Sequence, residues 1–152
     1  VTAGTSSPLT DGASAVVVCS EDYAKSNSLN IMAYIRGMAI SGCSPEGMGI
    51  GPVISSMKAL KRAGLDLKDI DIIEMNEAFA AQSLACVKEL GIDMSKLNIH
   101  GGAIALGHPL GASGSRITGK AASLLQTEGG RYALSTMCVG GGQGCATVLE
   151  RA

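Results

Sequence analysis

The sequence predicts an α/β fold in which a sheet is covered by helices. Apolar residues make up 46% of the chain and aromatic residues only 3%, a composition typical of a close-packed core of Ala, Val, Ile, Leu and Met. Short β-branched runs alternate with longer segments of helical periodicity through most of the chain, which favours a sheet with helices on its faces. The 152 residues are enough to bury one such core, so we expect a single domain.

The first quarter of the chain predicts two strands separated by a short helix. After an opening loop and a turn at Asp11-Gly12, residues 13–19 contain three consecutive valines and predict a buried strand. Ser20 precedes two acidic residues and can cap a helix over residues 21–25. Residues 31–40 predict a second strand with a kink at Gly37.

The middle of the chain predicts two longer helices and a short strand between them. A loop over residues 42–51 carries Met48 between glycines, and Pro52 and Gly64 mark the start and exit of the first helix. A capped turn at residues 66–69 leads to a strand at 71–75. Residues 78–90 contain few polar side chains, so we expect a helix that is buried around most of its circumference.

The last third predicts a long helix followed by a β-hairpin. Residues 112–128 place Ile117, Ala121, Leu124 and Leu125 on one helical face, and Gly129-Gly130 ends this helix. Residues 132–137 and 145–149 predict two strands joined by a glycine-rich turn at 138–144.

Charge and cysteine content exclude several classes of protein. A net charge of -1 with scattered basic residues gives no electrostatic footprint for nucleic acid. No apolar run reaches transmembrane length, and no signal peptide is recognisable. The 5 cysteines show no CxxC pairing and predict buried, reduced thiols in a reducing compartment. The chain begins at Val1 in a loop-like segment, so we expect it to be a piece of a longer protein.

Three polar clusters lie at predicted element ends, where α/β proteins place their functional sites. They are Asn76-Glu77-Ala78-Phe79, Gly107-His108-Pro109 and the segment from Cys138 to Gly144. A Cys, a His and an Asn permit a nucleophile, base and orienting residue. They equally permit an acid/base cysteine beside an oxyanion hole built from His, Asn and backbone amides. The residues alone leave both mechanisms open.

Each cluster also has a structural interpretation. Cys138 could be a small buried hydrophobe, and His108 a hydrogen-bonded core histidine, although its Gly and Pro neighbours favour a functional role. Asn76-Glu77 could be a helix cap followed by a first-turn acid. The triple glycine could simply form a hairpin turn, and it does not match a nucleotide-binding loop. The His and Cys residues show no metal-ligand spacing, so we expect no metal.

Taken together, the clusters resemble the C-terminal half of a thiolase, an acyl-CoA C-acyltransferase. The resemblance covers residues 1–152, which we interpret as one thiolase C-terminal domain. It rests on three blocks in the family's order: Asn76-Glu-Ala-Phe-Ala80, Gly101-Gly-Ala-Ile-Ala-Leu-Gly-His-Pro-Leu-Gly-Ala-Ser-Gly114 and Cys138-Val-Gly-Gly-Gly-Gln-Gly144. The resemblance implies a layered half with a mixed β-sheet covered by helices and ending in a β-hairpin.

The resemblance implies a reversible thioester Claisen reaction between acyl-CoA molecules, with coenzyme A thioesters as substrates and no further cofactor. Cys138 matches the residue that exchanges a proton with the substrate Cα or with the CoA thiol. His108 matches the donor to the thioester oxygen, Asn76 the residue that holds a water at that oxygen, and the amide of Gly140 a donor to a second oxyanion hole. We expect the glycine-rich amides after Cys138 to lower the pKa of its thiol toward neutrality.

The remaining implied contacts are with substrate and with other chains. Ser7, Met48 and Phe79 match positions near bound CoA or its acyl chain, although Thr5-Ser6-Ser7-Pro8 stands where many relatives carry Asn-Ala-Ser-Gly. The nucleophilic cysteine of the family belongs to an N-terminal half that these residues do not include. We therefore expect this chain to be inactive alone, to need that half as its partner, and to form a homodimer or homotetramer in the full-length protein. The expected compartment is the cytoplasm, with mitochondria or peroxisomes as alternatives.

Two rival functions are open at this point. The chain could be a non-catalytic thiolase-like domain that binds acyl-CoA or a partner chain, which the reading frame upstream of Val1 would decide. It could also belong to the related ketoacyl synthases, which use two histidines or a histidine and an asparagine. Cys138 within Cys-x-Gly-Gly-Gly-Gln-Gly argues against that second rival.

Overall fold

In the computed structural model, which describes residues 1–152, four strands form one mixed sheet. The strands are β1 (Ala33–Gly42), β2 (Ile72–Met75), β3 (Tyr132–Val139) and β4 (Gln143–Arg151). Their order across the sheet is β1-β4-β3-β2, with β2 parallel to β3 and the other two pairs antiparallel. The predicted α/β class with a terminal hairpin is confirmed, since β3 and β4 pair directly through a three-residue turn.

Five helices accompany the sheet, and the two longest cover its opposite faces. They are α1 (Glu21–Ser26), α2 (Gly51–Ala63), α3 (Ala80–Leu90), α4 (Ala103–Leu106) and α5 (Leu110–Thr127). Neighbouring strand residues divide between two apolar clusters: Ile73, Leu134 and Val148 pack with α2 and α3, whereas Ile72, Ala133 and Leu149 pack with α5. Because successive strand side chains point to opposite faces, this division defines a three-layer α/β/α arrangement.

Local signals placed most helix ends correctly. Ser20 caps α1 by accepting a hydrogen bond from the amide of Tyr23, and Gly64 ends α2 with a left-handed φ of 70°. The predicted apolar stripe of α5 is buried as expected (Ile117, Ala121, Leu124 and Leu125). These features depend only on side-chain spacing and capping chemistry, which a short window of sequence contains.

The predicted strand at residues 13–19 is wrong. This stretch forms no regular element, and Val16, Val17 and Val18 are 46%, 85% and 70% exposed. Its β-branched residues favour extended backbone, but a strand also needs a neighbouring strand to accept its hydrogen bonds. None of the four strands of this chain pairs with it. Cys19, predicted to be a buried thiol, is exposed for the same reason.

The predicted burial of the helix at residues 78–90 is also wrong. The helix α3 begins at Ala80, and its buried residues are Gln82, Ser83 and Cys86, whereas Leu84 is 58% exposed. This helix packs against the segment Pro45–Ile50, a 3-10 helix inside the predicted loop around Met48. Contact with that segment buries polar residues, so hydrophobicity alone misidentified the inner face of α3.

The sheet edge at β1 leaves apolar side chains uncovered. Ala39 packs beneath α2, whereas Met38 and Ile40 point to the other face of the sheet and are 56% and 72% exposed. The helix α5 packs against this face at Ile72, Ala133 and Leu149 and meets β1 only at Ala33. None of the helices is long and apolar enough to cross a membrane.

Candidate active site

Asn76 and His108 come together at the carboxyl end of β2. Asn76 directly follows this strand, is fully buried, and places its Nδ2 atom 3.3 Å from Nε2 of His108. The backbone amide of Asn76 donates to the carbonyl of Thr136 on β3 at 3.0 Å, which holds Asn76 in line with the sheet. Two clusters that are 32 residues apart in sequence therefore form one polar pair.

Cys138 lies at the same end of the sheet, near the carboxyl end of β3. The parallel register pairs Met75 with Thr136, so Asn76 and Cys138 emerge from neighbouring strands in the same direction. Cys138 is 5% exposed and lies two residues after Thr136, on the same face of the strand. The parallel pairing of β2 and β3 thus places Asn76 and Cys138 at the carboxyl ends of adjacent strands.

The Cys138 thiol is protonated at neutral pH. Burial raises its pKa to about 11, and the neighbouring thiols of Cys86, Cys145 and Cys43 add to the effect. The expectation that the glycine-rich amides lower this pKa is therefore wrong for this chain, because loss of hydration outweighs the hydrogen bonding that favours the thiolate. Cys138 is therefore a proton donor at neutral pH, although a hydrogen bond from its own backbone favours the thiolate.

His108 is held in its neutral form. Partial burial lowers the pKa of its imidazole below the ordinary value, and the positive charge of Arg116 lowers it further. Both causes disfavour the imidazolium, since a cation loses hydration on burial and is repelled by a second cation. At pH 7 one ring nitrogen of His108 is therefore a donor and the other an acceptor.

The backbone around His108 is anchored to the opening loop through Thr10. The amide of His108 donates to Oγ1 of Thr10 at 3.1 Å, and Thr10 in turn donates to the carbonyl of Pro8 at 2.7 Å. Gly107 adopts a φ of 101°, and a Cβ atom there would lie 2.5 Å from the Thr10 side chain. Sequence reasoning missed Thr10, because its contact is with a residue 98 positions away.

The glycines of the turn after Cys138 have two different roles. Gly141 and Gly142 both adopt a φ of 87°, so the hairpin itself requires these two glycines. Gly140 does not have positive φ, lies exposed with open space where a Cβ would be, and makes no hydrogen bond through its amide. The hairpin interpretation therefore accounts for Gly141 and Gly142 and leaves the Gly140 amide free for a ligand.

The three residues predicted to contact substrate are half-buried and lie on segments attached to the same region. The amide and hydroxyl of Ser7 both donate to the carbonyl of Ala78, at 3.0 and 3.3 Å, beside Phe79. Met48 belongs to the segment Pro45–Ile50, which is tied to α3 because the thiol of Cys86 donates to the carbonyl of Gly49 at 3.2 Å. The structure thus places Ser7 and Phe79 side by side, with Met48 across α3.

No group of three or more His, Cys, Asp or Glu side chains is arranged to hold a metal ion. His100 lies apart from the site and forms an ion pair with Glu128 at 3.4 Å, so the second histidine is a surface residue. A cavity of about 880 Å³ lies between residues 15–21, β1 and α5. Its lining is mostly apolar and contains none of Asn76, His108 and Cys138. We therefore assign the chemistry to the carboxyl ends of β2 and β3 instead.

Comparison with known proteins identifies the family. The model of the thiolase C-terminal domain matches residues 29–151. The chain belongs to the thiolase family. A 3-ketoacyl-CoA thiolase of Vibrio cholerae is 58% identical over 154 residues, covering 99% of this chain and 40% of that protein. The chain therefore spans about 40% of the length of the curated relatives it matches and corresponds to their C-terminal part.

Solved structures give the same result. The crystal structure of human mitochondrial 3-ketoacyl-CoA thiolase superimposes with a TM-score of 0.98 at 53% identity, covering 100% of this chain and 39% of that one. A structure of that enzyme in complex with CoA matches equally well. The acetyl-CoA acetyltransferase of Bacillus anthracis has a TM-score of 0.97 at 43% identity and the same coverage. The predicted thiolase fold is confirmed.

In this thiolase chain Ser113 is a further site residue that sequence reasoning missed. Its Oγ lies 2.6 Å from Nδ1 of His108 and 3.1 Å from the carbonyl of Pro109. When the hydroxyl donates to Pro109, it accepts from Nδ1–H, and Nε2 of His108 is an acceptor facing the Asn76 amide. When the hydroxyl donates to Nδ1, the ring proton sits on Nε2, which can then donate to a ligand. The orientation of the Ser113 hydroxyl and the tautomer of His108 are therefore coupled.

Replacement of Ser113 by alanine is expected to slow thiolysis about tenfold in an active enzyme containing this chain, since one hydrogen bond worth about 1–1.5 kcal/mol supports the donating tautomer. The Michaelis constant for CoA should change little, and Ser113→Thr should restore most of the rate. Steady-state kinetics measure both. Ser115→Ala is the matched control, because Ser115 bonds only Ser14 and the carbonyl of Ala112. Equal losses in the two variants would contradict the assignment.

Proposed function

We propose that this chain supplies the C-terminal part of the active site of a thiolase that cleaves 3-ketoacyl-CoA with CoA, and that runs the reverse Claisen condensation as well. The observation that carries the proposal is the contact between the Asn76 amide and the His108 imidazole at 3.3 Å. Relatives at 58% and 53% identity are named 3-ketoacyl-CoA thiolases, whereas the named acetyl-CoA acetyltransferase is 43% identical, which favours the 3-ketoacyl substrate.

The Asn76–His108 pair forms an oxyanion hole in this proposal. Oδ1 of Asn76 is buried and has no hydrogen-bond partner, which is a costly state that an ordered water would relieve. In the tautomer in which the Ser113 hydroxyl donates to Nδ1, Nε2 of His108 carries the ring proton and no longer accepts from the Asn76 amide. Nε2 and that water would then both donate to the thioester oxygen as it gains enolate charge. Because Asn76 and His108 are held in place before substrate binds, little reorganisation accompanies the reaction.

Cys138 acts as the proton carrier. The nucleophilic cysteine of the N-terminal half attacks the keto carbon Cβ of the 3-ketoacyl-CoA and forms a thioester with the acyl group. The bond between Cα and Cβ then breaks, and its electron pair remains on Cα as the enolate of the departing acyl-CoA. The thiol of Cys138 then donates its proton to Cα and becomes a thiolate. That thiolate takes the proton of an incoming CoA thiol, whose sulfur attacks the acyl group carried by the enzyme. The raised pKa of Cys138 suits the first of these transfers, because the thiol is the resting form.

The other oxygen that gains charge belongs to the acyl group on the nucleophile. The free amide of Gly140 would donate to it, together with the amide of the nucleophile itself. Ser7, Met48 and Phe79 would line the path of the pantetheine arm and acyl chain. The reaction needs no metal or redox cofactor in this proposal, since every step is a proton or acyl transfer.

The nucleophilic cysteine would come from an N-terminal thiolase half. The apolar surface formed by Met38, Ile40 and the extended stretch at Val16–Val18 is suited to such a partner, because surfaces of this kind mark interaction sites. We propose that the full-length protein is a homodimer or homotetramer and that it works in the cytoplasm, as relatives from bacteria suggest.

A chimera tests the function. This chain replaces the C-terminal 40% of the Vibrio cholerae 3-ketoacyl-CoA thiolase, and CoA-dependent loss of acetoacetyl-CoA and of longer 3-ketoacyl-CoA substrates is followed spectroscopically. We expect the chimera to be active and this chain alone to be inactive. A chimera that matches the parent in circular dichroism and oligomeric state but lacks activity would overturn the proposal, as would full activity from this chain alone. Retained CoA binding in such an inactive chimera would identify a non-catalytic acyl-CoA-binding domain.

A further inference from the structure

The strand β2 lies at the edge of the sheet, and the side chain of Asn98 closes its free edge. Oδ1 of Asn98 accepts from the amide of Met75 and Nδ2 donates to the carbonyl of Met75, both at 2.9 Å. The backbone amide of Asn98 donates to the carbonyl of Ile73 at 2.8 Å. Asn98 thus mimics a neighbouring strand next to Asn76, and its left-handed φ of 46° is one that asparagine tolerates.

The carboxylate of Glu77 connects this edge to the segment that leads to His108. Oε1 of Glu77 accepts from Nδ2 of Asn98 at 3.0 Å, and Oε2 accepts from the amide of Ile104 at 3.1 Å. Ile104 lies in α4, which ends immediately before Gly107 and His108. Glu77 therefore belongs to neither the cap nor the first turn of α3, contrary to the structural interpretation of Asn76-Glu77; it binds the first turn of α4 instead.

The fit around this carboxylate is close. A Cβ atom on Gly102 would lie 2.1 Å from Cδ and 2.2 and 2.4 Å from the two carboxylate oxygens of Glu77, so no larger residue fits at position 102 with Glu77 in place. A second bond holds the same loop, because Nζ of Lys120 donates to the carbonyl of Gly101 at 2.9 Å. The loop before His108 is thus attached on one side to α5 and on the other to Glu77.

We propose that Glu77 is a positioning residue that sets the spacing between Asn76 and His108. It adjoins Asn76 in the chain, and through Ile104 it holds the short helix that delivers His108. The inference rests on the proposed function, in which that spacing defines the oxyanion hole. A carboxylate is required because the two groups facing Glu77, Nδ2 of Asn98 and the amide of Ile104, are both donors. In a neutral amide side chain only one of the two terminal atoms is an acceptor, so one of these donors would face an NH2 group.

Glu77→Gln in the chimera is expected to lower kcat about tenfold, which is the effect of losing roughly one charge-assisted hydrogen bond. The Michaelis constant for CoA should change less than about twofold, which is the scatter expected where no contact is disturbed. The pKa of His108 should rise toward its ordinary value, because a looser loop admits water to the imidazole. Nitrogen-15 NMR titration of the full chain measures that pKa, and assignment is simple because the chain has 2 histidines. Glu128→Gln is the matched control, since Glu128 pairs only with the surface residue His100 and with Thr127.

Gly102→Ala provides an independent variant, because its Cβ displaces the same carboxylate while Glu77 remains. We expect the same loss of kcat and the same rise in the His108 pKa. Gly111→Ala, where a Cβ meets no atom within 4 Å, is its control. Unchanged kcat and unchanged His108 pKa in both Glu77→Gln and Gly102→Ala would overturn the inference while leaving the proposed function intact. An inactive unsubstituted chimera would instead count against the function, and the NMR titration would still decide the role of Glu77.

Discussion

Replacement of Cys138 by alanine is expected to slow exchange of the Cα protons of acetyl-CoA by about 10²–10⁴-fold in the chimera, the usual contribution of a positioned acid or base. Transfer of an acetyl group from acetyl-CoA to the nucleophilic cysteine should continue at a rate close to that of the parent. Deuterium exchange at Cα, followed by NMR, measures the first step. Mass spectrometry of the acylated protein measures the second.

The expectation follows from the environment of Cys138. Its thiol is buried near the carboxyl end of β3, and burial raises its pKa to about 11. The thiol is therefore a weak acid that holds its proton until a stronger base, such as an enolate carbon, is generated beside it. Alanine cannot carry that proton, yet it fills nearly the same space, so folding should be little affected. Cys145→Ala is the matched control, because Cys145 is a half-buried thiol on the adjacent strand β4, paired with Met137. Comparable loss of both steps in Cys138→Ala would show that Cys138 is structural.

Replacement of His108 by alanine is expected to lower kcat for thiolysis by about 10²–10³-fold, the usual cost of deleting one oxyanion donor. CoA binding should be nearly unchanged, since Nε2 of His108 is proposed to contact only the oxygen that gains charge. Stopped-flow and steady-state kinetics on the chimera measure kcat and the Michaelis constant separately. His100→Ala is the control, because His100 is an exposed histidine outside the site. A large binding defect with normal turnover would contradict the assignment.

The pH dependence gives a second test of His108. Because partial burial and Arg116 lower its pKa, the neutral imidazole persists to a lower pH than in a free histidine. The acid limb that belongs to His108 should therefore lie below 6.5, the ordinary pKa of a histidine. The imidazole of His108 binds a proton more readily in the unfolded chain than in the folded one. The free energy of unfolding should therefore decrease as the pH falls from 6.5 toward the lower pKa that His108 has in the folded chain. An acid limb above that value would indicate a buried anionic partner that the structure does not show.

The sequence alone predicted much of the candidate site. Asn76, His108 and Cys138 each stand at or near the end of a predicted element, and His108 and Cys138 also have proline or glycine neighbours. The contact of Asn76 with His108, and the parallel pairing that places Asn76 and Cys138 at the ends of adjacent strands, are visible only in the three-dimensional structure. Family resemblance supplied the roles, and geometry alone leaves those roles as proposals.

The residues that sequence reasoning missed share one property. Thr10, Asn98 and Ser113 act through hydrogen bonds to backbone or ring atoms whose position depends on the folded chain, and Glu77 holds a helix 27 residues away. A signal for Ser113 was present. Ser113 lies about one helical turn after Pro109, the neighbour of His108, and this spacing can bring a hydroxyl to the ring. The sequence contained no such signal for Thr10 or Asn98.

What the sequence by itself determined are the features that depend on short-range spacing: the apolar stripe of α5, the cap of α1, the glycine exit of α2 and the terminal hairpin. Only the tertiary structure decided that residues 13–19 stay unpaired and that α3 buries a polar face. It also decided that the pKa of Cys138 is raised. Backbone pairing, helix-face burial and desolvation all depend on which distant atoms lie within a few ångströms, and a local pattern does not specify those atoms.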